Sequence, residues 1–157
     1  MKSSLYLETT IPSYLTAWPF RDVVVLAHQQ LTREWWDSRR DDFELFISQV
    51  VLDEAAMGDA DAAKRRLELL ADLPLLDATA EVQRMAALYI REIPLPARAA
   101  RDAAHMALAS VHGLEYLLTW NCTHIARGEV KRALLRINTA QGIETPTICT
   151  PEELMEG

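Results

Sequence analysis

The chain has 157 residues, of which 50% are hydrophobic and 25% are charged. This balance fits a single globular domain over residues 1–157 and excludes a largely disordered chain. The formal net charge of −7 counts against a protein that holds nucleic acid by charge alone, because such binding requires Lys and Arg to neutralise phosphates.

The distribution of charged and apolar residues along the sequence indicates the expected compartment. Glu8 interrupts the N-terminus before a signal-peptide apolar region could form, and no apolar run approaches the ~18 residues of a membrane span. We therefore expect a cytoplasmic protein with no membrane partner. Cys122 and Cys149 form no zinc-binding motif, and a disulfide between them remains an open alternative.

In the first half of the chain, strands alternate with helices. The predicted elements, in chain order, are a strand over 2–7, a short helix beginning near Pro12, a helix over 22–40, a strand over 43–47, a helix from 48 to 57 and a helix over 59–73. Apolar residues at Val24, Ala27, Leu31 and Trp35 give the third of these a helical spacing. Ser48 is the expected N-cap of the helix that follows the second strand.

The alternation continues to the C-terminus. The remaining predicted elements are a strand at 75–76, a helix from Thr79 to 93, a helix over 97–112, a strand over 116–119, a helix over 129–140, a strand over 146–150 and a final turn at 151–154. The strand over 116–119 is almost continuously apolar, which is typical of a parallel sheet buried on both faces. The pattern predicts an α/β protein with helices on both faces of a parallel sheet.

Sites in this architecture form where the parallel strands end. Glu8 follows the first strand, Glu54 lies in the helix after the second strand, Asp102 lies early in the Ala-rich helix and Asn121 follows the strand over 116–119. Converging carboxylates are the ligands that Mg²⁺ and Mn²⁺ prefer. A metal held there can activate water and stabilise charge on a phosphodiester. Each acid taken alone could equally be a solvated surface group.

Four segments together resemble the PIN-domain family along nearly the whole chain, in the VapC-like branch of toxin–antitoxin ribonucleases. The segments are LYLETT at 5–10, SQVVLDE at 48–54, DAAHMALA at 102–109 and LLTWNCTHIA at 117–126. The resemblance implies a three-layer α/β/α sandwich with a central, mostly parallel sheet. It also implies Mg²⁺- or Mn²⁺-dependent hydrolysis of RNA phosphodiester bonds by an endoribonuclease, which is commonly a dimeric toxin paired with an antitoxin.

The resemblance also assigns roles to residues. Glu8, Glu54 and Asp102 match the metal-binding acids, and Asn121 is a fourth catalytic candidate. Thr9 and Thr10 fall where the family has hydroxyl groups that could position water or phosphate. Independently of the resemblance, His105 lies one turn after Asp102 and His124 follows Asn121, so both are candidates for positioning water or the substrate, which would be single-stranded or structured RNA.

The sequence departs from the family pattern at two positions. Glu8 stands where the first acid is usually Asp, and Asn121 stands where a fourth acid is usual, so a second metal ion is in doubt.

Several alternatives remain open on the sequence. Asp53 competes with Glu54 as the second acid, although the apolar frame of Val50, Val51 and Ala55 favours Glu54. His105 could be a packed helix histidine, and one of the adjacent residues Trp35 and Trp36 could lie at an interface. The whole chain could be a catalytically weak PIN-like module that binds RNA or protein, or an unrelated doubly wound domain.

Overall fold

The computed structural model describes residues 1–155. Five strands form one sheet: β1 (Ser3–Leu7), β2 (Phe43–Ser48), β3 (Leu75–Leu76), β4 (Tyr116–Leu118) and β5 (Thr147–Cys149). The helices of the described chain are α1 (Thr10–Thr16), α2 (Val23–Arg39), α3 (Gln49–Ala55), α4 (Ala60–Leu70), α5 (Ala80–Glu92), α6 (Ala100–Val111), α7 (Gly128–Ala140) and α8 (Pro151–Met155). The strand and helix predictions are confirmed, with shifts of a few residues at their ends.

The strand order is β3-β2-β1-β4-β5, and every neighbouring pair is parallel. Helices cover the sheet on both faces, so the predicted α/β/α sandwich is confirmed, with a sheet that is parallel throughout. The chain first builds outward from β1 through β2 to β3, and then crosses to the other side of β1 to add β4. The strand order therefore reverses between β1 and β4, where open α/β sheets form their ligand crevice.

Strand β1 lies at the centre of the core. Leu5, Tyr6 and Leu7 are all fully buried, because a central parallel strand is covered on both faces. Side chains alternate along a strand, so Tyr6 and the following Glu8 are directed to the same face of the sheet. This alternation sets a phenol and a carboxylate side by side at the carboxyl end of β1.

The prediction of which face of α2 is buried is wrong for the first turns of the helix. Val24 is 63% exposed, whereas the buried residues of this helix are Gln29, Thr32 and Trp35. The two buried polar side chains have partners that the sequence pattern does not reveal. Gln29 Oε1 accepts a hydrogen bond from the backbone N–H of Phe20 at 3.1 Å, and Thr32 Oγ1 accepts one from the indole N–H of Trp120 at 2.6 Å.

Helix ends follow the predicted signals with local changes. Ser48 caps α3 and Thr79 caps α5 through side-chain oxygens that accept backbone N–H groups. Helix α3 ends at Ala55 and not at residue 57. Arg66 donates hydrogen bonds to the backbone oxygens of Ala55 and Met57 at 3.0 and 2.6 Å, so a guanidinium satisfies carbonyl groups that the helix leaves free.

The structure settles two smaller points. Cys122 and Cys149 are free thiols, Cys122 exposed and Cys149 buried, so the disulfide alternative is wrong. Within residues 1–155, the helices are all too short or too polar to cross a lipid bilayer.

Candidate metal centre

Glu8 is a buried carboxylate at the carboxyl end of β1, with only 3% of its surface exposed. Its Oε1 atom accepts hydrogen bonds from the Thr10 hydroxyl, from the Thr10 backbone N–H at 3.1 Å and from the Thr119 hydroxyl at 2.7 Å. A buried charge needs such donors to compensate for lost hydration. Residues 1–155 donate no hydrogen bond to its second oxygen, Oε2, so this atom remains free to bind a ligand.

Glu54 approaches the same point from α3. Its Oε1 atom accepts a hydrogen bond from the Thr9 hydroxyl at 2.7 Å and lies 2.6 Å from Nε2 of His105. Burial raises the pKa of Glu54, but the contacts with His105, the hydrogen bond of Thr9 and the charge of Arg101 outweigh it, so the pKa lies below its ordinary value. Glu54 is therefore an ionised acceptor at neutral pH.

His105 is completely buried on α6 and has partners on both ring nitrogens. Nε2 faces Glu54, and Nδ1 lies 2.6 Å from the Tyr6 hydroxyl. The Tyr6 hydroxyl is in turn 2.8 Å from the hydroxyl of Ser48, the residue that caps α3. Tyr6, Ser48, His105 and Glu54 thus form one buried chain of hydrogen bonds from β1 to the crevice. The sequence pattern pointed to neither Tyr6 nor a link between Ser48 and His105.

Asp102 lies one helical turn before His105 and faces the loop after β4. Its Oδ1 accepts a hydrogen bond from the Asn121 side-chain amide at 3.1 Å, and its Oδ2 lies 2.8 Å from Nδ1 of His124. The Asn121 side-chain oxygen accepts the backbone N–H of His124 at 3.0 Å. These three candidates therefore form a second cluster, joined through α6 to the cluster of Glu8, Glu54 and His105.

The two acids of the first cluster fit a hard divalent cation. One carboxylate oxygen from Glu8, one from Glu54 and a ring nitrogen of His105 lie within 4.8 Å of one another. Each acid has one oxygen anchored by the protein and one that accepts nothing from residues 1–155. Asp102 lies outside this group, and each of its oxygens already accepts one hydrogen bond, which leaves a lone pair on each for a cation.

The competing acid on α3 is directed away from this centre. Asp53 is exposed, and its Oδ1 accepts a hydrogen bond from the side chain of Gln49 at 2.9 Å. Adjacent helical residues project about 100° apart, so only one of Asp53 and Glu54 can face the crevice. That residue is Glu54.

An aromatic cluster borders the centre beside Asn121. The rings of His28 and Trp120 stack at 4.0 Å with an angle of 11° between their planes, and Tyr14 lies 6.2 Å from Trp120. Trp120 is 8% exposed, so its main role is to anchor the loop after β4 against α1 and α2.

Of the adjacent tryptophans on α2, Trp35 is buried and Trp36 is half-buried beneath the guanidinium of Arg40, which lies 4.7 Å from the centre of its ring. A group of large exposed apolar side chains, close together in sequence, lies elsewhere, at the start of α2 and in the loop before it. Trp18, Phe20, Val23 and Val24 are 75%, 53%, 78% and 63% exposed; we call this segment the 18–24 surface.

Comparison with solved structures gives a match to the whole fold. The chain is similar to a chain in the crystal structure of VapBC2 from Rickettsia felis bound to a DNA fragment from its promoter, with a TM-score of 0.60 and 16% sequence identity. The match covers 94% of this chain and 98% of that chain. No protein-family model matches the sequence, and no curated protein is significantly similar to it. At this identity the likeness establishes a shared fold, that of a protein solved in a VapBC complex.

Proposed function

We propose that this protein is a PIN-like, metal-dependent endoribonuclease. The observation that supports this most directly is the pair of carboxylates at the point where the strand order reverses. Glu8 and Glu54 arrive from separate elements, and each has one anchored oxygen and one free oxygen. Two such acids with Asp102 nearby suit Mg²⁺ or Mn²⁺, which bind oxygen and retain several waters.

Glu8 and Glu54 would hold the ion, with Asp102 as the third ligand. When bound, the ion supplies Lewis-acid chemistry, namely activation of water and stabilisation of charge on a phosphodiester. The hydroxyls of Thr9 and Thr10 donate to Glu54 and Glu8. We therefore propose that the main role of these two hydroxyls is to position the acids, and that contact with water or RNA is secondary. His124 and Asn121 hold Asp102 in the same way.

A cleavage assay on single-stranded RNA tests this function. Wild-type protein is incubated with Mn²⁺, Mg²⁺ or EDTA and compared with Glu54→Gln and Asp102→Asn. We expect cleavage with either metal, none with EDTA, and a loss of at least about 10²-fold in each variant, as for groups that stabilise transition-state charge. Asp53→Asn is the matched control, because it makes the same change on an exposed neighbour of Glu54. Metal-independent cleavage, or full activity in Glu54→Gln, contradicts the proposal.

One observation favours a second candidate function, that of a module that binds RNA or protein and cuts weakly. Asn121 is neutral and donates a hydrogen bond from its side-chain amide to Asp102. The site therefore carries one fewer negative charge than a centre with four acids. The same assay separates the two functions. RNA binding without metal-dependent cleavage by the wild-type protein identifies the binding module.

We also infer that the protein has protein partners, as an antitoxin-bound toxin and as a homodimer. The support is the 18–24 surface, because exposed tryptophan and other large apolar side chains mark contact sites. Sedimentation velocity of the wild type and of Val23→Ser/Val24→Ser tests the dimer. We expect a dimer that the double change weakens, and a wild-type monomer at all concentrations contradicts self-association.

A further inference from the structure

We propose that His105 is a positioning residue for Glu54 and not a metal ligand, because Tyr6 and Ser48 keep its ring in the tautomer that carries hydrogen on Nε2. The metal-related part of this inference rests on the proposed function. The hydrogen-bond assignment itself rests only on the buried contacts of these four side chains.

The tautomer of His105 follows from counting the hydrogen-bond donors and acceptors among the side chains that link Ser48 to Glu54. An ionised carboxylate only accepts, so the 2.6 Å contact between Glu54 Oε1 and His105 Nε2 requires hydrogen on Nε2. In a neutral ring Nδ1 is then an acceptor, and the Tyr6 hydroxyl donates to it at 2.6 Å. The Tyr6 oxygen accepts in turn from the Ser48 hydroxyl at 2.8 Å. In this arrangement the hydroxyl hydrogens of both Tyr6 and Ser48 have an acceptor.

The opposite arrangement leaves one donor without a partner. With hydrogen on Nδ1, Tyr6 must accept from His105 and donate to Ser48. The Ser48 hydroxyl hydrogen then has no acceptor in the described chain, since the other partner of its oxygen is the backbone N–H of Val51, also a donor. Ser48 is 1% exposed, so water cannot readily compensate, and a buried donor without an acceptor is destabilising.

The consequence concerns Glu54. A nitrogen that carries hydrogen cannot donate a lone pair to a cation, so His105 contributes no ligand although it lies within reach of the acids. Instead, His105 and Thr9 both hold Oε1 of Glu54, and this leaves Oε2 as the coordinating atom. Residues that orient a ligand in this way typically change metal affinity 10–100-fold when they are replaced.

Nitrogen-15 NMR of the histidine rings tests the tautomer directly. In the metal-free wild type we expect a protonated Nε2 and an unprotonated Nδ1 for His105, and we expect the Nε2–H signal to persist when Mg²⁺ is added to saturation. Hydrogen on Nδ1 in the free protein, or loss of the Nε2–H signal on Mg²⁺ binding, overturns the inference. Because the first measurement needs no metal, a failure of Mg²⁺ to bind would contradict the proposed function and leave the tautomer result standing.

Variants separate positioning from packing. Tyr6→Phe should move the Nδ1 resonance of His105, whereas Tyr89→Phe, which removes another buried tyrosine hydroxyl bonded to Asn138, should not. His105→Gln keeps a nitrogen donor near Glu54 and His105→Leu removes it. Calorimetric titration with Mn²⁺ should show affinity about 10-fold weaker or more in His105→Leu than in His105→Gln. An unmoved Nδ1 resonance in Tyr6→Phe, or equal affinities in the two His105 variants, contradicts the proposal.

Discussion

Thr119 donates a hydrogen bond of 2.7 Å to Oε1 of Glu8, which ties the residue after β4 to the residue after β1. The backbone makes the same link, since the N–H of Glu8 donates to the carbonyl of Leu118 at 3.1 Å. The two strands on either side of the crevice are therefore joined at their ends by one backbone and one side-chain contact. The length of the Glu8 side chain is part of this arrangement.

The first prediction concerns that length. Glu8→Asp restores the acid that is usual in the family which the sequence resembles, but it withdraws the carboxylate by one methylene from Thr10 and Thr119. Weakening hydrogen bonds to a buried charged group should lower the free energy of unfolding by about 1–3 kcal/mol. Urea unfolding measures this change, and calorimetric titration should show weaker Mn²⁺ binding.

Glu44→Asp is the matched control, because it shortens an exposed glutamate on β2. Unchanged stability and unchanged Mn²⁺ affinity in Glu8→Asp would mean that the crevice accepts either acid, and that the hydroxyl contacts do not determine the length of the side chain.

The second prediction concerns the charge next to Asp102. Asn121→Asp replaces the amide that donates to Asp102 Oδ1 with a carboxylate, so two like charges face each other. The metal-free protein should melt at a lower temperature, and Mn²⁺ should raise the melting temperature more than in the wild type, because binding to the folded state offsets the repulsion. Thermal melts with and without Mn²⁺ measure both effects.

The double variant Asp102→Asn/Asn121→Asp is the control for repulsion. It exchanges the two groups, so one amide can again donate to one carboxylate, and the metal-free melting temperature should recover toward that of the wild type. No recovery would show that the loss in Asn121→Asp has another cause, such as its contact with the backbone of His124.

The third prediction concerns acid. The pKa of Glu54 is lowered in the folded protein because the contacts of His105, Thr9 and Arg101 outweigh the opposing effect of burial. Glu54 therefore binds a proton at a higher pH in the unfolded chain than in the folded protein. Its contribution to stability is fully present above the pKa of an unfolded Glu, at pH ~4.3, and is lost as the pH falls below that value. The free energy of unfolding should fall less steeply between roughly pH 5 and pH 3 in Glu54→Gln than in the wild type.

Denaturant unfolding over this pH range makes the comparison. Asp53→Asn carries the same chemical change one residue earlier at an exposed position, and its profile should follow that of the wild type. Identical slopes for Glu54→Gln and the wild type would show that the contacts of Glu54 do not favour its ionised form.

The fourth prediction concerns the thiols. Burial, with the nearby charge of Glu153, raises the pKa of Cys149 to about 12, whereas Cys122 is exposed. The thiolate is the reactive form, so a thiol reagent at neutral pH should label one cysteine in the native protein and both in denaturant. Peptide mass spectrometry should place the native label on Cys122, and rapid native labelling of Cys149 would contradict its burial.

The sequence predicts this fold well because its strongest signals are local. The alternation of apolar segments with the helix caps Ser48 and Thr79 defines the elements. Gly113, just after α6, adopts a left-handed φ of +69°, which suits a residue that ends a helix. The apolar frame around Glu54 also distinguishes it from Asp53. These patterns depend on periodicity and on helix ends, which can be read from one segment at a time.

The contacts that arrange the site could not be predicted in this way. The Tyr6–His105 and Asp102–His124 pairs join segments that are distant in sequence, and nothing in either segment specifies the partner. The buried face of α2 differs from the predicted one for the same reason, since Gln29 and Thr32 are buried and form hydrogen bonds with distant groups. Long-range polar pairing leaves no periodic trace in the sequence.

The candidate metal site draws its residues from both halves of the chain, so metal binding could report whether two separate fragments associate. A cut between Gly58 and Asp59, in the exposed turn that joins α3 to α4, would leave Glu8 and Glu54 on one fragment. His105, Asp102 and Asn121 would lie on the other. Neither fragment alone contains a complete donor set, so divalent-metal affinity of the native kind would return only on complementation of the fragments.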